Sequence, residues 1–503
     1  MIIDDQTYDI IIIGTGAGGG TLAYKLASTG KKILILERGN FMPLEDQNRS
    51  DVDVFKREWY HPSEKWYDNA GEPFSPQTNY AVGGNTKIYG AALLRMREKD
   101  FEAVQHQDGI SPEWPLKYQD FEPYYTEAEQ LYKVHGKSGQ DPSDPLRSID
   151  YPYPAVNHEP PIQEIVDAIA TLGLHPATLP LSLTRQTDDP TGDAEVFGIS
   201  LVLGFPNVTL KTDAKVVCLH TNASGNQVKS VETEIKGQKY LFSSDVVVLA
   251  CGAINSASLL LRSANEKHPN GLANSSDQVG RNLMQPLMTA IVQLSTTPNS
   301  GKFPRTVYLN DFYWGEGDFP YPMGHIQNTG GLLQELIFAE SPPILSVLAK
   351  VVPDIALEQL AKRSIGWWVQ TETLPNHHNR VRLKGEKLYI DYTPNNIEAH
   401  DRLVHRWIGT LKQVEKTLEH SLFNRSSIYP RSEIPVQVTA NHCGTCCFGE
   451  DPTTSVLDLN CRTHDVENLY VVDGSFFPSS ASVNPTLTII ANALRVGKHL
   501  RNW

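Results

Sequence analysis

One histidine and three cysteines crowd the stretch NHCGTCCFG at residues 441–449. A histidine can take the proton of a substrate hydroxyl, because its unperturbed pKa of about 6.5 is close to working pH. Cysteines and histidines can also bind zinc, and a passable spacing for such a site is offered by Cys443, Cys446, Cys461 and His464. A disulfide such as Cys443–Cys461 is a third interpretation. Unpaired cysteines that simply pack are the interpretation we favour, with no metal.

A second group of residues with chemical potential lies near the N-terminus. Gly14, Gly16 and Gly19 have G-x-G-x-x-G spacing, and Glu37 ends the next apolar segment. The apolar run at 10–13, a helical pattern and a second apolar strand surround them, which predicts a βαβ unit. In such a unit the glycines let the backbone approach a pyrophosphate, while the acid accepts hydrogen bonds from the ribose hydroxyls. This region therefore predicts a dinucleotide site, without deciding between FAD and NAD.

Strands of the same kind return later in the chain. DVVVLACGA (245–253) is an apolar run that ends in a Gly-Ala turn, and a helix is expected at Ser256. A strand at 469–472 is followed by an acid–glycine turn, and a helix is expected from about Pro485. The residues between these segments include alternating stretches such as VRLKGEKLYIDY, which are typical of antiparallel strands.

These patterns predict an α/β protein, α+β overall, with a discontinuous Rossmann-like nucleotide-binding domain. We assign residues 1–110, 205–295 and 435–503 to this domain. The inserted substrate or cap domain, built on a largely antiparallel sheet, takes residues 111–204 and 296–434.

The composition limits the class of protein. The chain has 503 residues, a net charge of −14, and hydrophobic and charged fractions of 40% and 20%, as expected of a globular protein with two domains. The negative charge argues against nucleic-acid binding. No apolar run reaches the roughly 18–20 residues that span a bilayer, and the N-terminus shows no signal peptide. Six cysteines in a chain this long do not make a disulfide scaffold. We therefore expect a cytoplasmic, reduced protein.

Two stretches are open to more than one interpretation. NYAVGGNTKIYGAALLRMR (79–97) places a glycine pair before Asn85; the pair suits either close packing against a flat polar ring or an ordinary turn. The apolar-rich stretch 332–362 is expected to form a buried or capping helix pair. A mobile lid, or a patch that docks a partner or membrane, is the alternative.

Six blocks in this chain resemble the glucose–methanol–choline (GMC) flavoprotein oxidoreductase family. The blocks follow the family's order over the whole chain: IIIGTGAGGGTLAYKLA…LILERG, AVGGNTKIYGAALL, LACGAINSASLLLRS, VGRNLMQP, TETLPNHHNRVRL and NHCGTCCFG…NLYVVDGSFFPSSASVNPTLTI. The closing NPTLTI is similar to the branch of pyranose oxidases and the flavoprotein subunits of gluconate and fructose dehydrogenases. The resemblance implies an FAD domain and a substrate domain built on an antiparallel sheet.

The resemblance also implies which residues hold FAD. Gly14, Gly16, Gly19 and Glu37 would hold the ADP half, and Val217 would contact adenine. Gly84 and Asn85 would face the flavin, Asp473 and Gly474 the ribityl–pyrophosphate stretch, and Thr486 the flavin pyrimidine. Relatives with covalent flavin attach it to a histidine just after the glycine pair. Here NTKIY follows that pair, so we expect non-covalent FAD.

The catalytic residues implied by the resemblance are a histidine on the 441–449 loop and Asn484. The histidine would take the alcohol proton while hydride leaves for flavin N5, and Asn484 would orient the substrate oxygen. The family spacing H-x-x-G-T places Asn441, not His442, at the base position. Asparagine cannot accept the proton; we favour His442 as the base and keep Asn441 as the alternative.

The function implied is oxidation of an alcohol or sugar CH–OH group. The electron acceptor would be a quinone, a protein or O2, with a dehydrogenase favoured over an oxidase. If Asn441 occupies the base position, the alternative is a GMC-type flavoenzyme that does not oxidise alcohols, such as a lyase or a fatty-acid photodecarboxylase.

Overall fold

The computed structural model describes residues 1–42, 62–184, 192–294, 305–330, 363–418, 431–433 and 440–503. Within these ranges no helix has the length and apolar character that crossing a membrane requires. The apolar-rich stretch 332–362 lies outside the described residues, so its interpretation stays a prediction.

The larger sheet is built on the apolar N-terminal strand. Ile10–Ile13 are buried and pair in parallel with strands on both sides, as expected for a strand covered on both faces. In spatial order the strands are Val208–Lys211, Ile33–Leu36, Ile2–Ile13, Gln238–Leu249, Val228–Ile235 and Ala214–Thr221, with Leu469–Val471 paired to Gln238–Leu249. The carboxyl ends of the parallel strands share one edge, so the loops that follow them meet there.

Helices cover this sheet and begin at that same edge. Ala17–Ala27 follows the first strand and packs against the last helix, Thr486–Arg501. Ala253–Arg262 starts after the strand that ends at Leu249. The other helices are Tyr118–Leu131, Pro160–Thr171, Ser200–Val202 and Ile397–Thr417, with 3₁₀ turns Gly84–Ile88, Glu98–Phe101 and Gly474–Phe476 and a π turn Glu195–Ile199.

A second large sheet is antiparallel throughout its described pairs. Its strands, in spatial order, are Arg431–Glu433, Leu287–Leu294, Ser364–Thr371, His325–Gly330, Val307–Leu309 and Ala177–Thr178. Ile326 and Val369 share the face that packs on the helix Ile397–Thr417, where Trp367 and Trp407 meet edge to face at 4.7 Å. Because side chains alternate along a strand, Gln327 and Trp368 lie on the opposite face.

The predicted α/β class with a second, antiparallel sheet is confirmed. Leu287–Leu294 belongs to the antiparallel sheet, whereas the sequence-based boundary at 295 placed it with the nucleotide-binding segments. The division into two domains stays a prediction.

Three smaller sheets complete the described strands. The first contains Arg380–Lys384, Lys387–Asp391, Trp66–Tyr67 and Pro73–Phe74, the second Leu181–Ser182, Val134–Gly136 and Tyr153–Pro154, and the third Val104–Gln105 and Ile110–Ser111.

Candidate active site

A cavity of about 1360 Å³ lies where loops at the carboxyl edge of the larger sheet face the antiparallel sheet. It exceeds the roughly 300–1,000 Å³ of ordinary small-molecule pockets, so a dinucleotide and a small substrate both fit. Every predicted site residue except Gly19 lines it: Gly14, Gly16, Glu37, Gly84, Asn85, Val217, Asn441, His442, Asp473, Gly474, Asn484 and Thr486.

The glycine-rich turn forms one wall of the cavity at the level of the backbone. Gly14 has φ +100°, and a Cβ there would lie 2.4 Å from the Ala250 carbonyl oxygen. A Cβ on Gly19 would lie 2.0 Å from the Gly14 carbonyl oxygen, so Gly19 packs the helix on its strand. At Gly16 a Cβ would meet no protein atom closer than 3.9 Å, and it would occupy cavity space. The turn fits the close approach of a pyrophosphate to the backbone.

Glu37 ties this turn to the second strand. Its carboxylate accepts hydrogen bonds from the Thr15 amide at 3.0 Å, from the Thr15 hydroxyl, and from the Gly39 amide at 2.9 Å. The Thr15 hydroxyl also accepts a hydrogen bond from the Gly83 amide at 3.0 Å. Burial raises the pKa of Glu37. Glu37 therefore stabilises the glycine-rich turn. Its contact with the ribose hydroxyls stays a prediction.

The second glycine pair lies against the first turn. Gly83 and Gly84 have φ of +96° and +56°, a region that glycine adopts at little cost. A Cβ on Gly84 would lie 3.1 Å from the Gly16 Cα atom. Asn85 accepts a hydrogen bond from the Asn79 amide at 2.8 Å through its side-chain oxygen, which leaves the amide nitrogen of Asn85 for a partner in the cavity. This placement is compatible with a ring packed against the glycine pair, which stays a prediction.

Asp473 joins two loops at the edge of the sheet. One carboxylate oxygen accepts hydrogen bonds from the amide and hydroxyl of Ser475, and the other accepts from the Gly252 amide at 3.0 Å and the Ser256 hydroxyl. Burial raises the pKa of Asp473. Both oxygens are thus bonded to the chain itself, and Asp473 holds the start of the helix Ala253–Arg262 beside the last strand.

The histidine-containing loop is clamped from two sides. Cys443 exchanges two backbone hydrogen bonds with Met284, at 2.9 and 3.0 Å, and the Gly444 amide donates to the Gly474 carbonyl at 3.1 Å. Gly444 has φ +89°, and a Cβ there would lie 2.3 Å from the Asn282 carbonyl oxygen. The loop therefore has little room to shift against the cavity wall.

Asn441 and His442 both line the cavity. The His442 ring is partly buried and makes no hydrogen bond to any residue in the described ranges. Burial lowers the pKa of His442 to about 4, so the ring is neutral at neutral pH and can accept a proton. Both residues reach the cavity, so their positions alone do not distinguish which of them is the base; kinetic measurements on variants do.

The cysteines around His442 are free and mostly buried. All six cysteines of the chain are free, and Cys443, Cys446 and Cys461 are fully buried. Burial raises the pKa of these thiols, so they stay protonated. In the part of the chain that the structure describes, no group of three His, Cys, Asp or Glu side chains is placed to hold a metal ion. The zinc and disulfide interpretations therefore have no geometric support.

Asn484 provides a polar group that has no partner among the described residues. Its side-chain oxygen is buried and makes no hydrogen bond within the described residues, and buried polar atoms usually have a partner. Thr486 begins the last helix beside it and also lines the cavity. The N-terminus of a helix stabilises negative charge. These groups and the open space at Gly16 line one cavity, and together they fit a dinucleotide cofactor.

The substrate end of the cavity contains residues that sequence patterns did not identify. Met288, Gln327 and Trp368 line it from three neighbouring strands of the antiparallel sheet, and Arg305 lies near them. Arg305 donates a hydrogen bond to the Thr329 carbonyl at 2.7 Å. The available signal is the alternation within HIQNTG and SIGWWVQT, but the alternation alone does not say which face meets the cavity.

Comparison with known proteins identifies relatives along the full chain. Residues 205–287 and 375–493 match the N-terminal and C-terminal sequence models described as GMC oxidoreductase. The 6'''-hydroxyparomomycin C oxidase of Streptomyces lividus is 30% identical over 98% of this chain and 91% of its own. The fructose dehydrogenase large subunit of Gluconobacter japonicus is 25% identical, with 98% of each chain covered.

A solved structure shares the fold. The crystal structure of pyridoxine 4-oxidase from Mesorbium loti superposes with a TM-score of 0.70 at 19% identity, and the alignment covers 99% of this chain and all of the other. The likeness is therefore one of the whole fold.

Proposed function

Because the chain belongs to the GMC oxidoreductase family, we propose that it oxidises a CH–OH group of an alcohol or sugar with FAD as cofactor. The resemblance seen in the sequence motifs is confirmed by the relatives, and family members act on CH–OH donors. The observation that carries the proposal is one cavity in which the dinucleotide turn at Gly14 and Gly16 shares a space with His442 and Asn484.

FAD, when bound, supplies a two-electron acceptor for the hydride that leaves the carbinol carbon. Gly14, Gly16 and Glu37 would hold its adenosine and pyrophosphate portions, and Asn85 and Thr486 would lie beside the ring system. The N-terminus of the last helix would stabilise negative charge near Thr486.

His442 is the proposed base. Oxidation of CH–OH to a carbonyl removes a hydride from carbon and a proton from oxygen, and the neutral His442 ring accepts that proton. Its pKa of about 4 keeps the ring in the accepting form across the neutral range. The clamped backbone at Cys443 and Gly444 holds the ring in place, as catalysis by orientation requires.

Asn484 is the proposed orienting group for the substrate oxygen. The amide can donate a hydrogen bond to that oxygen as negative charge develops on it. Neither atom of this side-chain amide makes a hydrogen bond to a described residue, so the amide nitrogen is available to donate to the substrate.

The FAD is proposed to be non-covalent. The residue after Thr86 in the glycine-pair segment is Lys87, which forms ion pairs of 2.8 Å with Asp193 and Glu195. No histidine is available in NTKIY. Acid precipitation of the purified protein should release all of its flavin into the supernatant.

The electron acceptor is proposed to be a quinone or a protein, making this a dehydrogenase, although relatives include both an oxidase and a dehydrogenase. Steady-state assays with O2, a quinone and an artificial dye, after reduction by the same substrate, would rank the acceptors. Rapid reoxidation by O2 alone would contradict the dehydrogenase assignment.

The proposal is tested by anaerobic mixing of the purified flavoprotein with a panel of 1-octanol, 1,2-propanediol, D-glucose, D-fructose and D-glucosamine. Loss of the flavin absorbance band with at least one member is the expected result. An unbleached flavin across the panel, with loss of carboxylate from a fatty acid under blue light, would instead favour the alternative without alcohol oxidation.

A further inference from the structure

A row of polar side chains connects a buried ion pair with the substrate end of the cavity. Asp141, Asn310, His325 and Gln327 follow one another at hydrogen-bond distance. All four are buried, with Gln327 4% exposed and His325 fully buried. The amide nitrogen and oxygen of Asn and Gln side chains are nearly isosteric. Which of them donates and which accepts must therefore be assigned from the hydrogen-bond network.

The assignment begins at Asp141. Its carboxylate forms a buried ion pair of 2.8 Å with Arg97, and the guanidinium of Arg97 lowers the pKa of Asp141 although burial opposes it. An ionised carboxylate can only accept hydrogen bonds. Asn310 lies 2.7 Å from Asp141 and must therefore turn its amide nitrogen toward it.

The next step fixes the proton on His325. With its nitrogen on Asp141, Asn310 presents its oxygen to Nδ1 of His325 at 2.8 Å, so Nδ1 carries a hydrogen. Burial and the positive charge of Arg97 lower the pKa of His325 to about 3. The ring is neutral with one hydrogen, and Nε2 is left as an acceptor.

The row ends at Gln327. The side-chain oxygen of Gln327 is placed 3.2 Å from His325 Nε2, but an acceptor such as Nε2 needs a donor. Amide orientation is assigned from the hydrogen-bond network, so we turn the Gln327 amide over: its nitrogen then donates to Nε2, and its oxygen takes the other position. Gln327 lines the cavity, and its remaining amide atom makes no hydrogen bond to any described residue.

We propose that Gln327 is a specificity-determining residue that presents its carbonyl oxygen to the substrate end of the cavity and selects substrates that bring a hydrogen-bond donor there. The donor is a hydroxyl or an ammonium group. Asn310 and His325 are positioning residues that fix the direction of the Gln327 amide.

The neighbouring strand Ser364–Thr371 indicates what kind of substrate carries the hydrogen-bond donor. Trp368 lies directly opposite Gln327 in the strand register and also lines the cavity. It is the one partly exposed residue of the strand Ser364–Thr371. A group that reaches the Gln327 oxygen therefore lies along an indole ring, and aromatic surface favours the C–H face of a hydroxylated or aminated ring over a fully hydrated chain.

The direction of the amide can be measured without turnover, so this arm does not depend on the proposed function. Long-range ¹H–¹⁵N correlation of the flavoprotein labelled in histidine nitrogen reports which ring nitrogen is protonated. We expect a neutral His325 ring with hydrogen on Nδ1. The resonance is identified by its absence in His325→Gln and by its shift in Gln327→Leu, which removes the donor to Nε2. Hydrogen on Nε2, or a charged ring, would overturn the proposal.

The specificity claim rests on the proposed function and uses the panel sugar that reduces the flavin fastest. Its mono-O-methyl ethers remove one donor each, and its deoxyamino derivative replaces a hydroxyl donor with an ammonium donor. One O-methyl ether should lose roughly tenfold in kcat/KM, about the factor for one hydrogen bond. The amino derivative at that position tells whether ammonium substitutes for hydroxyl.

Gln327→Leu should lower kcat/KM for the parent sugar by roughly the same tenfold and abolish the difference between parent and ether. The matched control is Gln370→Leu. Gln370 is buried on the same sheet face, and neither of its amide atoms has a hydrogen-bond partner in the described ranges. The control should keep the discrimination. If Gln327→Leu also keeps it, or if every ether reacts like the parent, the proposed selection is wrong.

Discussion

The two ends of the cavity are built by different means. At the nucleotide end the contacts are between backbones, and a single added methyl at Gly14 or Gly19 would fall within 2.0–2.4 Å of a carbonyl oxygen. At the substrate end, side chains such as Gln327 and Trp368 project from sheet strands whose backbones are already paired. The first end therefore depends on the absence of side chains and the second on their identity.

The two ends of the cavity respond differently to substitution. A side chain added at Gly14 or Gly19 disturbs the strand–helix packing on which the larger sheet depends. A substitution at the substrate end alters one wall of the cavity and leaves the sheet pairing intact. Substrate preference can thus vary on a constant fold, as expected when function lies in sites placed on a shared scaffold.

The largest expected effect is at the nucleotide end, with Gly19→Ala. The new Cβ would lie 2.0 Å from the Gly14 carbonyl oxygen, so strand and helix must separate. We expect a loss of roughly 3 kcal/mol or more in the free energy of unfolding, and no retained FAD, measured by urea denaturation and flavin absorbance. Gly204→Ala, where a Cβ meets nothing within 4 Å, is the control.

Gly16→Ala sharpens the same comparison. Its Cβ would meet no protein atom closer than 3.9 Å, so the apoprotein should unfold like the wild type while FAD binding weakens. Equal stability losses in Gly16→Ala and Gly19→Ala would contradict the separate tasks assigned to these glycines.

Glu37→Gln should have the next largest effect. The carboxylate accepts from three donors on Thr15 and Gly39, and an amide would turn its own donors toward at least one of them. We expect a loss of about 1–3 kcal/mol in unfolding free energy and a weaker affinity for FAD, by chemical denaturation and fluorescence titration. Glu234→Gln, exposed in the same sheet, should change neither quantity.

Asn484→Ala should separate stability from rate. The buried oxygen has no protein partner in the described ranges, so its removal should leave the unfolding free energy of the apoprotein unchanged. Flavin reduction should slow by roughly 10- to 100-fold, the loss of one hydrogen bond to developing charge. Asn85→Ala is the comparison, because it loses the bond from the Asn79 amide and should be destabilised by about 1 kcal/mol.

The smallest effect concerns pH. The neutral His442 ring is the proposed base, and its pKa is lowered to about 4. The rate of flavin reduction should therefore stay level as pH falls through 6.5 and decline only near pH 4. The stability contribution of the neutral ring is complete above the unfolded pKa of about 6.5 and is lost as pH falls toward 4. A midpoint near 6.5 in the wild-type rate that disappears in His442→Ala would contradict the burial of the ring.

The nucleotide end was predictable from the sequence because its geometry requires particular residue types at particular positions. Gly14 and Gly83 have φ of +100° and +96°, a backbone that other residues rarely adopt, so the glycine positions in the sequence predict the local geometry. Glu37 and the strand before Asp473 were also predictable from residue type. The hydrogen bonds of Glu37 to Thr15 and of Asp473 to Ser256 are visible only in the folded structure.

The substrate end was not predictable in this way. Gln327 and Trp368 meet only because strands 325–330 and 364–371 pair in one particular register, and no local pattern states that register. The sequence did not show which sheet takes Leu287–Leu294, because an apolar strand fits either one. The family spacing could not choose between Asn441 and His442, because both fit at the cavity wall.

The central claim is that His442 removes a substrate proton while the adjacent carbon gives up hydride in this cavity. The direct measurement is the anaerobic single-turnover rate of flavin reduction in wild type, His442→Ala and Asn441→Ala, with the same substrate and full FAD occupancy. We predict a loss of roughly 10²- to 10⁴-fold for His442→Ala and less than tenfold for Asn441→Ala. Undiminished reduction in His442→Ala would contradict the account.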